Sequence, residues 1–506
     1  MTNSWWCLLF LPVIAGELDF NSKDYGCSIC LSTVDLHLSN KNHGAILDTC
    51  MEKYSRKICE EMFTDVKETM VGDKDSRDVC RSLSMCPSLE ESLAAYPRSP
   101  YGTGAYMDVR VTKAMGNKGY DKIRLSVISN TSIESEYFTY SSQFRYRWTS
   151  NYLSTGIVSV VPGQKTTLSV GGLAVEVLLP LEDAGIRGVI VADPCFQSEW
   201  IVCVYQKTFS TFSRTTELLN AINAFEDVSF WNILGDNFYD QSGEASAAWF
   251  AALSPASKAK VMGSVPGNHD FWVNASPQLM VPKDQLANGF MQFYAQDSLA
   301  ASDTSPFDFS VDPDRSGRDA YAIPSAGNFF YYHKLGDVAF VGFSGAHSMA
   351  SMQAAFEEAC SWAAAANPKY VLLLGHWNSD GDGCEAESVP EVYSALSALP
   401  QCAPLMSRMK YFMGHKHCNV VTSPDTGFMV GAMGMADKSS CGGEFGFPVL
   451  DTTQGDLRVY YFSLAKEGQY DHYDQVLACI RSSGVSGCYH LATLWYWFIS
   501  QSVHQS

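Results

Sequence analysis

Five short stretches of aspartate, asparagine and histidine, far apart in the chain, each follow directly on an apolar run of strand length. In chain order they are Asp193-Pro194-Cys195, Gly235-Asp236-Asn237-Phe238-Tyr239, Gly267-Asn268-His269-Asp270, Gly375-His376 and Gly414-His415-Lys416-His417. An open α/β sheet places its binding crevice at the C-terminal ends of its strands. We therefore predict that these stretches meet at one edge of a sheet.

The pattern from residue 186 onward supports this arrangement, because strand-like and helix-like segments alternate. Strands are predicted at 188–192, 230–234, 261–265, 329–334, 338–343 and 370–374, and helices near 215–225, 246–253 and 352–365. Such alternation is typical of an α/β layered structure. We expect an α/β domain over residues 186–465.

Two further segments flank this domain. Residues 97–185 contain short β-rich runs that end at turn residues, which predicts a separate, small antiparallel sandwich that braces the rest. The tail, residues 466–506, contains the aromatic and apolar run 491–500. This run is too short to span a bilayer, which needs about 20 apolar residues, and we predict a packed terminal helix.

The N-terminus resembles a secretory signal peptide. An apolar run from Trp5 ends at Ala15, with small residues placed as they are before a signal-peptidase site. We predict that residues 1–15 are removed, the alternative being a buried N-terminal segment. The 16 cysteines fit an oxidising compartment, as do the glycosylation sequons at Asn130 and Asn274. A secreted or lysosome-like location follows.

Composition excludes two classes of protein. With 46% hydrophobic residues among 506, the chain has ample material for a large core, so it is not a disordered protein. A formal net charge of −19 argues against nucleic acid as a partner, because no basic stripe is available to displace counterions from a phosphate backbone.

The motifs themselves have a chemical meaning. Hydrolysis of a phosphate ester is helped by two cations about 3.5 to 4 Å apart, which need one bridging carboxylate and terminal ligands for each ion. Residues 186–465 resemble the calcineurin-like metallophosphoesterases, and Gly-Asp-Asn-Phe-Tyr at 235–239 resembles the purple acid phosphatase branch. The resemblance implies a four-layer fold, a β-sandwich flanked by helices.

The resemblance also implies the ligands of two metal ions. Asp236 would bridge both ions. Asp193, Tyr239 and His417 would complete the first site, and Asn268, His376 and His415 the second. A tyrosinate is a hard anionic donor, so it favours Fe(III) at the first site; the second ion would be iron, zinc or manganese.

One position departs from the wider superfamily. Where most members carry a metal-binding histidine two residues after the first aspartate, this chain has Cys195. Purple acid phosphatases also lack that histidine and use the tyrosine that corresponds to Tyr239, so the two features agree. Cys195 is either a soft metal ligand or a disulfide partner of Cys203, and the disulfide is the simpler alternative.

For catalysis, the family implies that His269 protonates the leaving oxygen and that Asp270 orients it. A hydroxide held by the two metals would attack the phosphorus atom. Further substrate-side histidines of purple members are absent after His376, so those roles are either unfilled or taken by Asn378 or His347. His347 also fits an ordinary loop histidine.

Residues 17–96 resemble a saposin B-type domain. Its six cysteines allow fifteen pairings by sequence alone. The resemblance implies Cys27 with Cys86, Cys30 with Cys80 and Cys50 with Cys59. Its apolar helical faces are either simple core or a surface for contact with lipid or a membrane.

Three functions compete. The first is a secreted or lysosomal acid phosphatase that hydrolyses phosphomonoesters. The second is a phospholipid phosphodiesterase similar to acid sphingomyelinase, which the saposin-like domain favours. The third, a non-catalytic lipid-binding protein, would require a decayed metal site, yet every expected ligand is present.

Overall fold

The computed structural model describes residues 107–146, 149–194, 211–237, 244–271, 290–291, 294, 297–300, 326–377, 387–431, 433, 445–465 and 471–498. The predicted signal peptide and the saposin-like domain with its three disulfides lie outside these ranges. So do Cys195, Cys203, Tyr239, Asn274 and Asn378.

The described chain is built mainly of strands. They are β1 (Met107–Lys113), β2 (Lys122–Ser129), β3 (Tyr140–Tyr146), β4 (Thr149–Ser159), β5 (Lys165–Val170), β6 (Leu173–Leu178), β7 (Arg187–Val191), β8 (Phe230–Leu234), β9 (Val261–Val265), β10 (Tyr331–Leu335), β11 (Val338–Gly342), β12 (Tyr370–Leu374), β13 (Met409–Met413), β14 (Asn419–Ser423), β15 (Gly427–Val430), β16 (Phe445–Asp451), β17 (Leu457–Ala465) and β18 (Thr493–Phe498).

The α-helices are α1 (Thr211–Asn223), α2 (Glu244–Ala252), α3 (Pro255–Lys258), α4 (Met349–Ala366), α5 (Val389–Leu396) and α6 (Asp471–Gly487). Local signals fix some of their ends. Ser348 caps α4, and Ser388 forms a capping box with Glu391 at the start of α5. Within the described ranges, no helix has both the length and the apolar character needed to cross a membrane.

Two sheets contain most of the strands. The larger has the order β18-β17-β16-β7-β8-β9-β1-β2-β4-β3, and β7, β8 and β9 run parallel at its centre. The smaller has the order β10-β11-β12-β13-β15-β14, with β11, β12, β13 and β15 parallel. Strands β5 and β6 form a separate hairpin. The central strands of both sheets are buried along their whole length, as parallel strands covered on both faces are.

The sheets pack face to face and helices cover their outer faces. Between the sheets, Phe230 of β8 meets Phe340 of β11 edge to face, with ring centroids 5.0 Å apart. Outside the larger sheet, one core cluster joins Trp231 to residues of α1, α2 and α6. Outside the smaller sheet, another joins Val371 to residues of α4 and α5. The α/β prediction is therefore confirmed, with layers in the order helix, sheet, sheet, helix.

The β-rich segment does not form the separate sandwich that the sequence predicted for residues 97–185. Strands β1, β2, β4 and β3 continue the larger sheet, because β1 pairs in parallel with β9 through Val111 and Val261. All seven residues of β1 are buried, which requires cover on both faces. Local alternation revealed the strands but not a partner 150 residues away.

The terminal helix predicted at 491–500 is also wrong. Residues Thr493–Phe498 of this run form β18, the edge strand beside β17, and Tyr461 stacks on Trp495 with ring centroids 4.2 Å apart. Tyr496 is buried, and its ring meets that of Phe428 edge to face with ring centroids 5.5 Å apart. Aromatic pairs across neighbouring strands outweighed the apolar character that had suggested a helix.

Candidate metal centre

The five predicted stretches do lie at the ends of neighbouring strands. Asp193 follows β7, Asp236 follows β8 and Asn268 follows β9 in the larger sheet. In the smaller sheet His376 follows β12, and the pair His415 and His417 follows β13. Because the strands are parallel within each sheet, their carboxyl ends share one edge, as expected.

The backbone at this edge is unusual. Five non-glycine residues of the described chain have positive φ, and three of them are Asp193 (55°), Asp236 (51°) and His415 (69°). Left-handed backbone is disfavoured for residues with a β-carbon, so it persists where surrounding contacts impose it, often at functional sites. Backbone bonds supply some of those contacts: the Asp193 N–H donates to the Gly235 carbonyl (3.3 Å).

The first group of potential ligands consists of Asp193, Asp236 and His417, whose nearest ligand atoms all lie within 4.8 Å of one another. His417 Nε2 is 3.6 Å from Asp193 Oδ1. The other oxygen of Asp193 accepts a hydrogen bond from the backbone N–H of His415 (3.0 Å), which fixes the carboxylate against the loop that carries both histidines. Both aspartates are buried.

The second group consists of Asp236, His376 and His415, under the same 4.8 Å limit. His376 Nε2 is 3.4 Å from Asp236 Oδ1. Asn268 joins this group, since its Oδ1 lies 3.3 Å from His376 Nε2 and 3.0 Å from His415 Nδ1. Asp236 is thus common to both groups, the position that the sequence predicted for a bridging carboxylate.

The donor set fits a metal ion. Atoms bound about 2.1 Å from one ion lie roughly 3.0 to 3.4 Å apart, the range measured between Asn268, His376, His415 and Asp236. His376 Nδ1 lies 2.7 Å from the Leu234 carbonyl, an acceptor, so Nδ1 carries a proton and Nε2 is the nitrogen available to a metal ion. A backbone acceptor of this kind is the usual partner of a metal-binding imidazole.

The charges of the site also call for a cation. Burial alone raises the pKa of the Asp236 carboxyl, but the charges of His376 and His269 hold that pKa well below its usual range. Burial lowers the pKa of His376, yet the carboxylates of Asp236 and Asp193 outweigh this effect and raise it to about 9. The buried Asp236 carboxylate therefore retains a negative charge that a bound cation would neutralise.

Glycine is required where the loops cross. A β-carbon at Gly267 would overlap Asp236 Oδ1, and one at Gly414 would lie 2.6 Å from Asp193 Oδ2. Either clash would displace a carboxylate oxygen of the ligand groups. The glycine before His415 therefore makes room for a carboxylate oxygen of Asp193.

Asp270 joins the loop after β8 to the loop after β9. Its buried carboxylate accepts hydrogen bonds from the backbone N–H of Asn237 (2.8 Å), from Asn237 Nδ2 (2.8 Å) and from the Gly267 N–H (2.6 Å). The orientation of His269 by Asp270, which the sequence predicted, stays a prediction. Sequence reasoning gave Asn237 no role, although its place directly after Asp236 was a signal.

His269 lies beside the bridging position. Its backbone N–H donates to Asp236 Oδ1 (2.9 Å), and the residue is half-buried where Asp236 and Asp193 are fully buried. Burial lowers the pKa of its imidazole, and the Asp236 carboxylate acts in the opposite direction.

Of the candidates for substrate-side roles, His347 is buried against Phe329, with ring centroids 5.3 Å apart.

Comparisons with known proteins give distant likenesses only. No family model matches the chain, and no curated protein matches it. A purple acid phosphatase from yellow lupin seeds is similar over 70% of this chain and 71% of its own, with 13% identity and a TM-score of 0.47. A protein-tyrosine phosphatase of a psychrophilic Shewanella is similar over 72% of this chain and 98% of its own, with 12% identity and a TM-score of 0.27.

A third solved structure is a predicted phosphoesterase from Streptococcus pneumoniae. It covers 55% of this chain and 90% of its own, with 9% identity and a TM-score of 0.22. At these TM-scores the likenesses define neither the family nor the activity of the chain. The positions of the donor atoms are the stronger observation.

Proposed function

We propose that this protein is a phosphoric-ester hydrolase that works with two metal ions. The observation that carries the proposal is Asp236, a buried carboxylate common to two groups of ligand atoms at one edge of the sandwich. A carboxylate that serves two ion sites at once is the arrangement that two-metal hydrolysis of phosphate esters uses. Asp193 and His417 would hold the first ion, and Asn268, His376 and His415 the second.

Bound there, two cations would neutralise the charge of the ester and generate a nucleophile from water at mild pH. The protein's own residues have two tasks. Buried Asp193 and Asp236 would hold the two ions in place, because their own carboxylates accept hydrogen bonds from the backbone N–H groups of His415 and His269. The His269 imidazole, half-buried beside Asp236, would protonate the leaving oxygen of the alcohol.

Our finer proposal is a purple acid phosphatase-like enzyme acting on phosphomonoesters. It rests on the resemblance of 235–239 to that branch, with Tyr239 as a ligand of Fe(III) and iron, zinc or manganese as the second ion.

We also propose a secretory location. The disulfides Cys360–Cys402 and Cys479–Cys488, together with disulfide-bonded Cys418, support it because such bonds persist in oxidising compartments.

Substitution at the shared carboxylate tests the proposal. Asp236→Asn removes the charge at nearly constant shape, so we expect both ions to be lost and hydrolysis of a soluble phosphomonoester to fall at least about 1,000-fold. Metal content is measured on the purified full chain by mass spectrometry. Asp425→Asn, an exposed aspartate in the turn after β14, is the matched control and should retain both properties. Full metal content and turnover in Asp236→Asn would overturn the proposal.

Two measurements test the finer proposal. A tyrosinate bound to Fe(III) absorbs visible light, so the purified protein should be coloured and Tyr239→Phe should be colourless; a colourless wild type with full activity would exclude the purple type. Turnover of soluble phosphomonoesters should greatly exceed that of sphingomyelin in vesicles. The opposite preference would identify the sphingomyelinase-like diesterase that residues 17–96 suggest.

A further inference from the structure

A small cavity lies between the larger sheet and its helices. A cavity of about 10 Å³ is enclosed by β1, β8, β9 and helices α2 and α3. Its polar lining comes from Arg110, Ser257, Lys258 and Lys260, and the rest is apolar, with Trp231, Phe250 and Met262 among the contacts. This volume suits one water molecule or one monatomic ion.

Arg110 has buried hydrogen-bond donors that a ligand could satisfy. It is 2% exposed, and its Nε donates to Asp108 Oδ2 at 2.6 Å. Within the described chain, its Nη1 and Nη2 atoms are buried without a hydrogen-bond partner. The guanidinium carbon lies 3.6 Å from the centroid of the Phe250 ring, so the ring covers one face and the N–H edge remains for an acceptor.

The charge balance around the cavity is positive. Lys258 is 4% exposed and its Nζ lies 3.9 Å from Asp108 Oδ1, so Arg110 and Lys258 share one carboxylate. Burial lowers the pKa of Lys258, and the Asp108 carboxylate opposes this. Buried charges are costly unless they are paired, and the Asp108 carboxylate already accepts the Nε hydrogen bond of Arg110.

We infer that this cavity binds a monatomic anion of the size of chloride, held by the Nη1 and Nη2 groups of Arg110 with the ammonium of Lys258 nearby. The anion would join β1 to α2 and α3 and would therefore stabilise the fold. Trp231 and Met262 lie near the N-terminal ends of β8 and β9, whereas the candidate metal ligands follow the C-terminal ends. The two sites are separate, and this inference does not depend on the proposed activity.

Thermal unfolding of the full chain tests the inference. At constant ionic strength, chloride replaces gluconate, an anion too large for a cavity of this volume. We expect Tm to rise by about 2 to 4 °C and to saturate with chloride concentration, as binding to the folded state alone requires. Equal Tm values in chloride and gluconate would show that the cavity holds water and would overturn the inference.

A variant pair locates the effect. Arg110→Met keeps much of the side-chain volume and removes the donors, so its Tm should no longer respond to chloride. Arg481→Met, at an arginine that is 57% exposed, is the matched control and should respond as the wild type does. A chloride response retained in Arg110→Met would contradict the assignment to this cavity.

Diffraction offers a readout that does not need a folded variant. Crystals of the wild-type protein grown in bromide should show an anomalous peak in the cavity, within about 3.5 Å of the Arg110 Nη atoms. Absence of an anomalous peak in the cavity of these bromide-grown crystals would overturn the inference, whatever the behaviour of Arg110→Met.

Discussion

Asn237 donates two hydrogen bonds to Asp270, from its backbone N–H to Oδ1 and from its side-chain Nδ2 to Oδ2, both 2.8 Å long. Asn237 directly follows Asp236, and Asp270 lies two residues after Asn268. The bonds therefore fasten the loop after β8 to the loop after β9. Ser264 Oγ contributes by donating to Asn237 Oδ1 (2.9 Å). The separation of two proposed metal ligands depends on this buried pair.

Loss of either partner should destabilise the fold. Asp270→Ala and Asn237→Ala each leave buried polar groups unpaired, and we expect each to lower the free energy of unfolding by about 2 to 4 kcal/mol. Because the two residues share their hydrogen bonds, the double variant should lose less free energy of unfolding than the two single variants lose together. Urea unfolding measures all three, and Asp425→Asn serves as the neutral control. Strict additivity would show that the two residues do not act as a pair.

The two histidines after β13 should separate the two ion sites. His417 belongs to the group with Asp193, and His415 to the group with Asn268 and His376. We expect His417→Ala and His415→Ala each to reduce bound metal from about two ions per chain to about one, and to lower turnover by roughly 100-fold or more.

Metal analysis after gel filtration measures this effect. His472→Ala, at an exposed histidine of α6, is the control and should keep its full metal content. Complete metal retention in both loop variants would remove these histidines from the ligand set.

Asp297 should make stability depend on pH. It is 2% exposed, and burial raises the pKa of its carboxyl to about 8, with the Arg124 charge acting in the opposite direction. The unfolded chain ionises this group near its ordinary pKa of 3.8. The folded state therefore binds the extra proton between these values, and its stability should fall as pH rises from about 4 to 8.

The slope due to this group cannot exceed about 1.4 kcal/mol per pH unit. Asp297→Asn removes the titrating group and should flatten that part of the profile, measured by thermal unfolding across the pH range. An unaltered profile in Asp297→Asn would mean that other groups set the pH dependence.

The disulfide Cys360–Cys402 joins α4 to the segment before β13 across 42 residues. Both cysteines are buried. Replacing both with alanine should lower the free energy of unfolding by about 2 to 4 kcal/mol, chiefly because the unfolded chain regains freedom. The disulfide Cys479–Cys488 closes a loop with a sequence separation of only 9. Replacing both of its cysteines with alanine should therefore lower the free energy of unfolding by less. Equal or reversed costs, by urea unfolding, would contradict the loop-length argument.

The sequence was most informative about single strands and their ends. It predicted β8, β9 and β12 with their observed bounds, because each is a short, mainly apolar run that stops at glycine or proline. It also predicted which residues follow those strands, since a ligand at a strand end needs only its position in the chain. Tyr239, the signal peptide and the saposin-like domain stay predictions, because they lie outside the described residues.

Long-range relationships were beyond local patterns. The insertion of β1 beside β9 and the pairing of β18 with β17 depend on surfaces that meet only in the folded chain. The same holds for Asn237 and Asp270, whose bond geometry no spacing reveals, and for Arg110, whose burial made an ordinary strand arginine into a candidate anion ligand.

The sequence by itself determined the inventory of this protein: parallel strands, and aspartates and histidines at their ends. Tertiary structure decided how that inventory is used. It made Asp236 common to two ligand groups, because left-handed backbone at Asp193, Asp236 and His415 turns three side chains from different strands toward one point. Backbone angles of this kind are imposed by packing between loops, and packing is a property of the folded chain.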